Sequence, residues 1–348
     1  MSNGFENCFR CFTVGFMSAG PTIRDIAAAA GVSVATVSKA VNGRYGVAPD
    51  TADRVMRIVE ELGYESSLAA RRMGGIRTGV IGVLVAEFEP FSAEILKGIS
   101  AEAHGRHLDI LAYSGAYGSA SSGWESRSLR RLGSNLIDGA ILVTPTAHVP
   151  SSEIPIVAID PHAGPAEGAT IESDSFGGAV TATRYLVELG HRRIGFVAGR
   201  PDLRSSRARD AGYRRALSDA GIPFRPQLTR TGFYDQEAAR RMAHELLTSF
   251  DRPTAVFAAN DLSAIAIGEV ASELGLSVPR DLSIVGFDDV PEASRWSPAL
   301  TTVRQPMRRL GEEAVQMLAT LMSGEELQEP HRLLPTRLVT RHTTAPPQ

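Results

Sequence analysis

From Thr78 onward, short runs of β-branched and apolar residues alternate with longer stretches of helical periodicity, and this alternation leaves few folds open. Strand character is read at 80–85, 109–113, 139–144, 156–159, 193–198, 255–259 and 283–287. Helical stretches run at 93–104, 179–189, 206–220, 236–247, 262–274 and 308–321. Repeated strand–helix–strand order predicts doubly wound parallel sheets, because a parallel neighbour is reached only through a crossover. The span is long enough for two such sheets facing each other across a cleft, each with its own core.

In open sheets of this kind ligands sit beyond the carboxyl ends of the strands, so polar residues that follow apolar runs mark the candidate site. Asp160 follows Ile156-Val157-Ala158-Ile159, Asn260-Asp261 follow Val256-Phe257-Ala258-Ala259, and Asp288-Asp289 follow Ile284-Val285-Gly286-Phe287. Any one of them alone reads more readily as a helix cap or a turn. Their recurrence at equivalent positions is what favours a site.

Upstream of Thr78 the pattern is helical. Thr22, with Asp25 three residues on, makes a helix start, and Ile23, Ile26, Ala27 and Ala30 follow at helical spacing. Gly31-Val32-Ser33 then supply a tight turn in which Val32 points inward and Ser33 caps a second helix. In that helix Val37 and Val41 share one face while Ala35, Thr36 and Lys39 point away, and Asn42-Gly43 close it. Pro49 and Asp50 open a third helix with a stripe of Val55, Ile58, Val59 and Leu62, ended by Gly63. Helix, short turn and helix with a small, polar outer face is the unit that places its second helix in the DNA major groove; the spacing alone also fits a helical hairpin in a bundle. The following segment holds Arg71 and Arg72 ahead of Gly74-Gly75 and is too short for a stable isolated helix. It reads either as a segment that folds on an anionic groove or as a basic linker.

Composition narrows the function classes. The 348 residues carry 36 Lys plus Arg against 39 Asp plus Glu, so any contact with a polyanion is local rather than chain-wide. The two cysteines, Cys8 and Cys11, leave the main body without a disulfide framework, which fits a reducing, cytoplasmic compartment. They form a C-x-x-C with no second pair, so no metal site is expected. No apolar run reaches membrane-span length, and the stretch 9–16 is broken by Arg10. Met17, five residues before Thr22, reads as an alternative start, with 1–20 an unstructured extension. The chain lacks the Gly-rich phosphate loop, the nucleophile elbow and the paired-His metal motif, so neither an enzyme nor a cofactor is expected. His104, His107, His148, His162, His191, His244, His331 and His342 are scattered and are expected at the surface. A transport-type solute-binding protein is opposed by the helical headpiece and by the absence of a leader.

The headpiece motifs together resemble the LacI/GalR (lactose repressor and galactose repressor) family of bacterial regulators. They are Thr22-Ile23-Arg24-Asp25-Ile26-Ala27 through Ala30-Gly31-Val32-Ser33, Ala35-Thr36-Val37-Ser38-Lys39, Val41-Asn42-Gly43 and Glu61-Leu62-Gly63-Tyr64. Downstream, Leu189-Gly190-His191, Arg209-Asp210-Ala211-Gly212-Tyr213, Ala258-Ala259-Asn260-Asp261, Val285-Gly286-Phe287-Asp288-Asp289 and Leu300-Thr301-Thr302-Val303 with Gln305-Pro306 resemble the same family's effector domain in the same order. The resemblance implies an all-α helix-turn-helix headpiece at 21–65, a hinge helix and linker at 66–77, and an α/β periplasmic-binding-protein-like effector domain at 78–342. That domain would have two doubly wound parallel-sheet lobes, followed by a tail at 343–348. It implies that Val34, Ala35 and Lys39 read base edges, that Ser33, Thr36, Ser38 and Asn42 touch phosphates, and that Ser67, Arg71 and Met73 belong to a minor-groove hinge segment. It also implies that Phe91, Ser92, Asp174, Ser205, Arg209, Tyr234, Asn260 and Asp288 surround a small-molecule effector, to which the strand-end reading adds Asp160. Asp174 is the least typical, since the family more often carries Asp-Asn where this chain has Ser173-Asp174.

Two headpiece positions depart from the family. Ala48 stands where a capping Ser is usual, and Met73 where an intercalating Leu is usual. Seven basic against six acidic residues between Thr22 and Gly75 give only a weak positive balance, so affinity for DNA leans on dimerisation and the hinge arginines. The expected function is a repressor that binds a near-palindromic double-stranded operator as a homodimer and answers to a carbohydrate effector, with a purine or a protein co-regulator as the alternatives. No heptad extension follows Arg341, which favours a dimer over a tetramer.

Overall fold

The computed structural model describes residues 21–41, 44–64, 77–115, 123–133, 136–146, 152–162 and 168–348. Asn42, Ser67, Arg71 and Met73, with the extension at 1–20, lie outside the described residues. The chain divides into two compact units, Met1–Thr78 and Gly79–Gln348.

Among its described residues the first unit holds three helices: α1 (Ile23–Ala30), α2 (Val34–Val41) and α3 (Pro49–Leu62). The Asp25 carboxylate accepts from the Thr22 backbone N–H and hydroxyl, both at 2.7 Å, and the Ser33 hydroxyl accepts from the Thr36 N–H at 3.1 Å. Both helix starts read from the sequence are therefore present. The core is Ile26, Ala27, Ala30, Val37, Val55 and Ile58, with Val32, Val41, Val59 and Tyr64 packed around it. Leu62 is a correction: expected in the core stripe, it is 44% exposed. Gly63 turns the chain at φ 62° just after it, and Tyr64 packs against the core instead.

The second unit holds two six-stranded sheets. In the first lobe β1 (Val80–Val85), β2 (Asp109–Ser114), β3 (Gly139–Val143), β4 (Ile156–Ile159) and β5 (Ala169–Ser173) are joined by a late strand, β11 (His331–Leu334). The order is β11-β5-β4-β3-β1-β2, parallel throughout. In the second lobe β6 (Ile194–Ala198), β7 (Thr229–Thr231), β8 (Ala255–Ala258), β9 (Ser283–Asp288), β10 (Thr301–Arg304) and β12 (Arg337–Val339) take the order β12-β10-β9-β8-β6-β7. There only β12 runs antiparallel, beside β10. β1, β3 and β8 are buried along their whole length, as parallel strands covered on both faces must be.

The helices are α4 (Pro90–Gly105), α5 (Trp124–Gly133), α6 (Ser175–Glu188), α7 (Arg204–Asp219), α8 (Gln236–Leu247), α9 (Asp261–Glu273), α10 (Pro291–Arg295) and α11 (Met307–Met322). Two of them cover the lobe their preceding strand does not belong to. α6 follows β5 but supplies Ala179, Ala182 and Leu186 to the second-lobe core, and α11 follows β10 but supplies Leu310, Ala314, Val315 and Leu318 to the first. With the passage from β11 to β12, the chain crosses between lobes three times: near Asp174, at Gln305-Pro306 and at Pro335-Thr336. α11 lies tight on α4 because Gly98 and Gly311 face each other's backbone. A Cβ on Gly98 would overlap the Arg308 carbonyl, and one on Gly311 the Ile95 carbonyl.

The stretch 343–348, set apart in the sequence as a tail, is docked. Thr343 is fully buried with its hydroxyl donating to the Ile284 carbonyl at 2.7 Å, and the Ala345 carbonyl accepts from the Ser283 hydroxyl at 2.9 Å. His191, expected at the surface, is buried there too, bound to Thr254, Ser283 and Ala345.

Candidate functional site

In the first unit α2 turns Val37 into the core, which leaves Val34, Ala35 and Lys39 exposed on its outer face. Ser33 lies exposed at its start, and Thr36 and Ser38 are half-buried along it. The helix is short, with Val37 buried and Ala40 and Val41 packed at the core's edge, so its outer surface is a set of small side chains around one lysine. Such a surface admits close approach of a groove floor and offers hydroxyls at its edge.

In the second unit the ends of β1, β3 and β4 in one lobe and of β7, β8 and β9 in the other converge on a cleft. Its volume is about 630 Å3, counting the space open to solvent. Phe91, Asp160, Ser205, Arg209, Tyr234, Asn260 and Asp288 all line it. So do Glu89, Thr144, His162, Leu203, Leu262 and Val290, which sequence reasoning missed. Ser92 and Asp174 do not. The Ser92 hydroxyl faces inward, donating to the Glu87 carbonyl at 2.7 Å and accepting from the Glu89 N–H at 3.0 Å, so it shapes the start of α4. The Asp174 carboxylate accepts from the Gly177 N–H at 2.7 Å and caps α6. His162, also expected at the surface, is only 7% exposed, and its Nδ1 has no partner among the described residues.

Arg209 is the centre of the cleft. It is 5% exposed, its guanidinium lies 3.8 Å over the Phe287 ring and 5.6 Å from the Tyr234 ring, and Nη1 donates to the Ala259 carbonyl. Nη1 also faces Asp288 Oδ1 at 3.6 Å, an ion pair rather than a hydrogen bond. Nε has no partner among the described residues. A buried guanidinium with an unused donor is costly unless something completes its coordination.

Burial pushes the Asp160 carboxyl up to about 6 and the Asp288 carboxyl up to about 7, the nearby Arg209 opposing the rise in both. Glu89 is raised by burial and by Glu87. Burial, reinforced by Arg209, lowers His162 to about 4, so the imidazole is neutral. Asp261 and Asp289, paired with Asn260 and Asp288 in the sequence, are structural. Asp261 is fully buried and accepts from the Val290 N–H at 2.9 Å, while Asp289 binds Arg341 at 2.7 Å and Arg304. Asn260 Oδ1 accepts from the Ser263 N–H at 3.1 Å to cap α9, which leaves the amide donors and the oxygen's second lone pair for a ligand.

The backbone at this cleft is strained in a consistent way. Thr144, Asp160, Tyr234 and Asp288 have φ of 49°, 46°, 63° and 114°, in the left-handed half of conformational space that side-chain-bearing residues avoid. All four line the cleft, which is where such cost is tolerated when it aims a functional group. Two carboxylates are tied together across the lobes. Asp160 Oδ1 accepts from the Ser173 N–H at 2.9 Å, the Ser173 hydroxyl donates to Gln305 Oε1, and Gln305 Nε2 donates to Asp288 Oδ1 at 2.6 Å. Ser173 and Gln305 sit at two of the three crossovers, so the cleft and the crossovers share one buried hydrogen-bond chain. Among the described residues no group of His, Cys, Asp and Glu could hold a metal ion, and no helix is long and apolar enough to cross a membrane.

Comparison with known proteins agrees in both units. Residues 22–67 match the family model described as bacterial regulatory proteins, lacI family, and residues 183–344 match a periplasmic binding protein-like domain. The HTH-type transcriptional repressor PurR of Erwinia tasmaniensis is 34% identical over 338 residues, covering 93% of this chain and 97% of that protein. PurR of Yersinia pestis is 34% identical over 310 residues, covering 85% and 89%. Among solved structures, a transcriptional regulator CelR–cellobiose complex is 31% identical with a TM-score of 0.70, covering 93% of this chain and 99% of that one. A Lac repressor dimer bound to operator and the anti-inducer ONPF is 27% identical with a TM-score of 0.81, covering 94% and 100%.

Proposed function

The chain belongs to the lacI family of bacterial regulatory proteins, and from that premise we propose that it is a cytoplasmic transcriptional repressor, not an enzyme, whose grip on DNA is set by a neutral sugar in the cleft. The observation that carries the effector reading is the buried Arg209, which lines a cleft between two lobes together with Asp160 and Asp288. Glu89, Asp160 and Asp288 put three acidic groups against that single guanidinium, which disfavours an anionic ligand and suits vicinal hydroxyls. Phe91 and Tyr234 offer faces for the C–H side of a ring. A planar purine would stack on the same rings, so it stays the second reading.

On the DNA side, Lys39 with Val34 and Ala35 would meet base edges, and Ser33, Thr36, Ser38 and Asn42 would meet phosphates. A homodimer would present two such helices to the half-sites of a near-palindromic operator. Ser67, Arg71 and Met73 would enter the minor groove between them. The carboxylate chain through Ser173 and Gln305 gives the effector a route to the crossovers, where a change in lobe closure would begin. Selection from random duplexes should return a two-fold symmetric site, and a thermal-shift panel of sugars and purines should find a stabilising ligand. At 100 times its dissociation constant a ligand adds about 2.7 kcal/mol. A protein that prefers no duplex, or that responds to purines alone, would overturn the DNA or the sugar half of this reading.

A further inference from the structure

The cleft does not end at His162. A second cavity of about 570 Å3, counting its open space, continues past it and shares Asp160, His162 and Ser205 with the first. It lies beside the Asp174 crossover, where Glu172 of the first lobe and Arg204 of the second meet at 2.9 Å. Its walls carry two side chains that the fold does not bury: Phe176, 44% exposed, and Leu333, 65% exposed. Neither belongs to a core cluster. At the junction of the cavities stands the buried His162, with Nδ1 unpaired among the described residues. Asp174, placed by resemblance around the effector, lines this second cavity and not the first.

We propose that the effector occupies both cavities: that it is a disaccharide or other glycoside, with one ring held at Arg209 and Asp288 and the next lying against Phe176 and Leu333. His162 is the donor or acceptor for the bridge between them. The inference rests on the sugar reading and narrows it from sugars in general to those with a second ring. An aromatic face and an aliphatic one suit the C–H surface of a pyranose, and Arg204, Glu172 and Ser175 supply its hydroxyl partners. A neutral imidazole can meet a glycosidic or hydroxyl oxygen without leaving a charge buried.

Calorimetric titration of the full-length protein with glucose, galactose and ribose, and then with cellobiose, lactose, maltose and sucrose, tests it. At least one disaccharide should bind about tenfold or more tighter than its own component monosaccharides. The double variant Phe176→Ala/Leu333→Ser should lose about tenfold toward that disaccharide while monosaccharide binding stays within about twofold. Both side chains are exposed, so melting of the ligand-free variant should match the parent. Ala208→Trp, which fills the second cavity without touching the first, should exclude the disaccharide and spare the monosaccharide. Monosaccharides that bind as tightly as any disaccharide, or variants that weaken both classes alike, would overturn the two-cavity inference and leave the sugar reading standing. Binding by neither class in the parent protein would overturn both.

Discussion

The two units handle polarity in opposite ways. Among its described residues the headpiece surrounds a six-residue apolar core with no buried charge, and every group there assigned to DNA lies exposed or half-buried on the outside of α2. The effector-domain cleft buries Arg209 and Asp288 and lines itself with residues in unfavourable backbone conformations. A DNA-reading surface acts through groups that water already satisfies, so its stability and its function are separable. A small-molecule site acts through groups that the fold leaves unsatisfied, so stability and binding pull against each other.

Breaking the headpiece should give the largest effect. Val55→Asp places an unpaired charge in a core of six residues, a cost on the order of several kcal/mol that a domain this small does not withstand. Operator shift should be abolished while calorimetric effector binding is kept; a surviving specific complex would contradict the separability. Next, Arg209→Ala and Asp288→Asn should each lose about 1.5–3 kcal/mol of effector affinity, with effector-free operator binding near wild type. The rival view makes the 3.6 Å pair a brace for its lobe. Under that view melting temperature falls in both variants and affinity only follows.

A smaller effect tests the DNA surface: Lys39→Ala should weaken operator binding by about 1–3 kcal/mol and relax base preference, whereas a pure phosphate contact would weaken all duplexes equally. The carboxylates make the contrast depend on pH. Asp160 and Asp288 titrate above their unfolded value of 3.8, near 6 and 7. Their contribution to stability is therefore full below about pH 4 and is lost as pH rises through about 6 to 7. The ligand-free effector domain should lose melting temperature over that window while effector affinity rises, because only the ionised carboxylate accepts from two hydroxyls. Asp288→Asn should flatten the upper part of both curves. The smallest expected change is Ala48→Ser. Ala48 is the N-cap of α3 and makes no side-chain cap bond, so a hydroxyl there should raise headpiece stability by about 1 kcal/mol and leave effector affinity unchanged.

Helix caps and buried parallel strands were legible because they depend on neighbours in sequence: Thr22 with Asp25, Ser33 with Thr36, and the unbroken run Val80–Val85. Five strands and the helices Trp124–Gly133 and Pro291–Arg295 were not. Strands such as Thr229–Thr231 and Arg337–Val339 are short and polar, and become strands only because a sheet edge is waiting for them. In the cleft, Asp160, Asn260 and Asp288 could be found because each ends an apolar run. Thr144 also ends one, but nothing local indicates that a β-branched residue will turn at φ 49°. Gln305 takes its place from pairings across the lobes, and His162 is held by its backbone N–H on the Pro145 carbonyl; neither role is visible along the chain.

The three crossings between lobes mean that neither lobe is a continuous piece of polypeptide. A protein cut after Gln305 would keep five strands of each sheet but strip the first lobe of α11, uncovering the surface that Leu310, Val315 and Leu318 occupy. The same cut would remove β12 and the docked residues that close over His191. Such a fragment should be insoluble alone and recoverable only when the missing C-terminal segment is supplied in trans. Domain boundaries drawn as simple intervals will therefore fail for shuffling a lobe between related regulators: the exchangeable unit is the pair, with all three links intact.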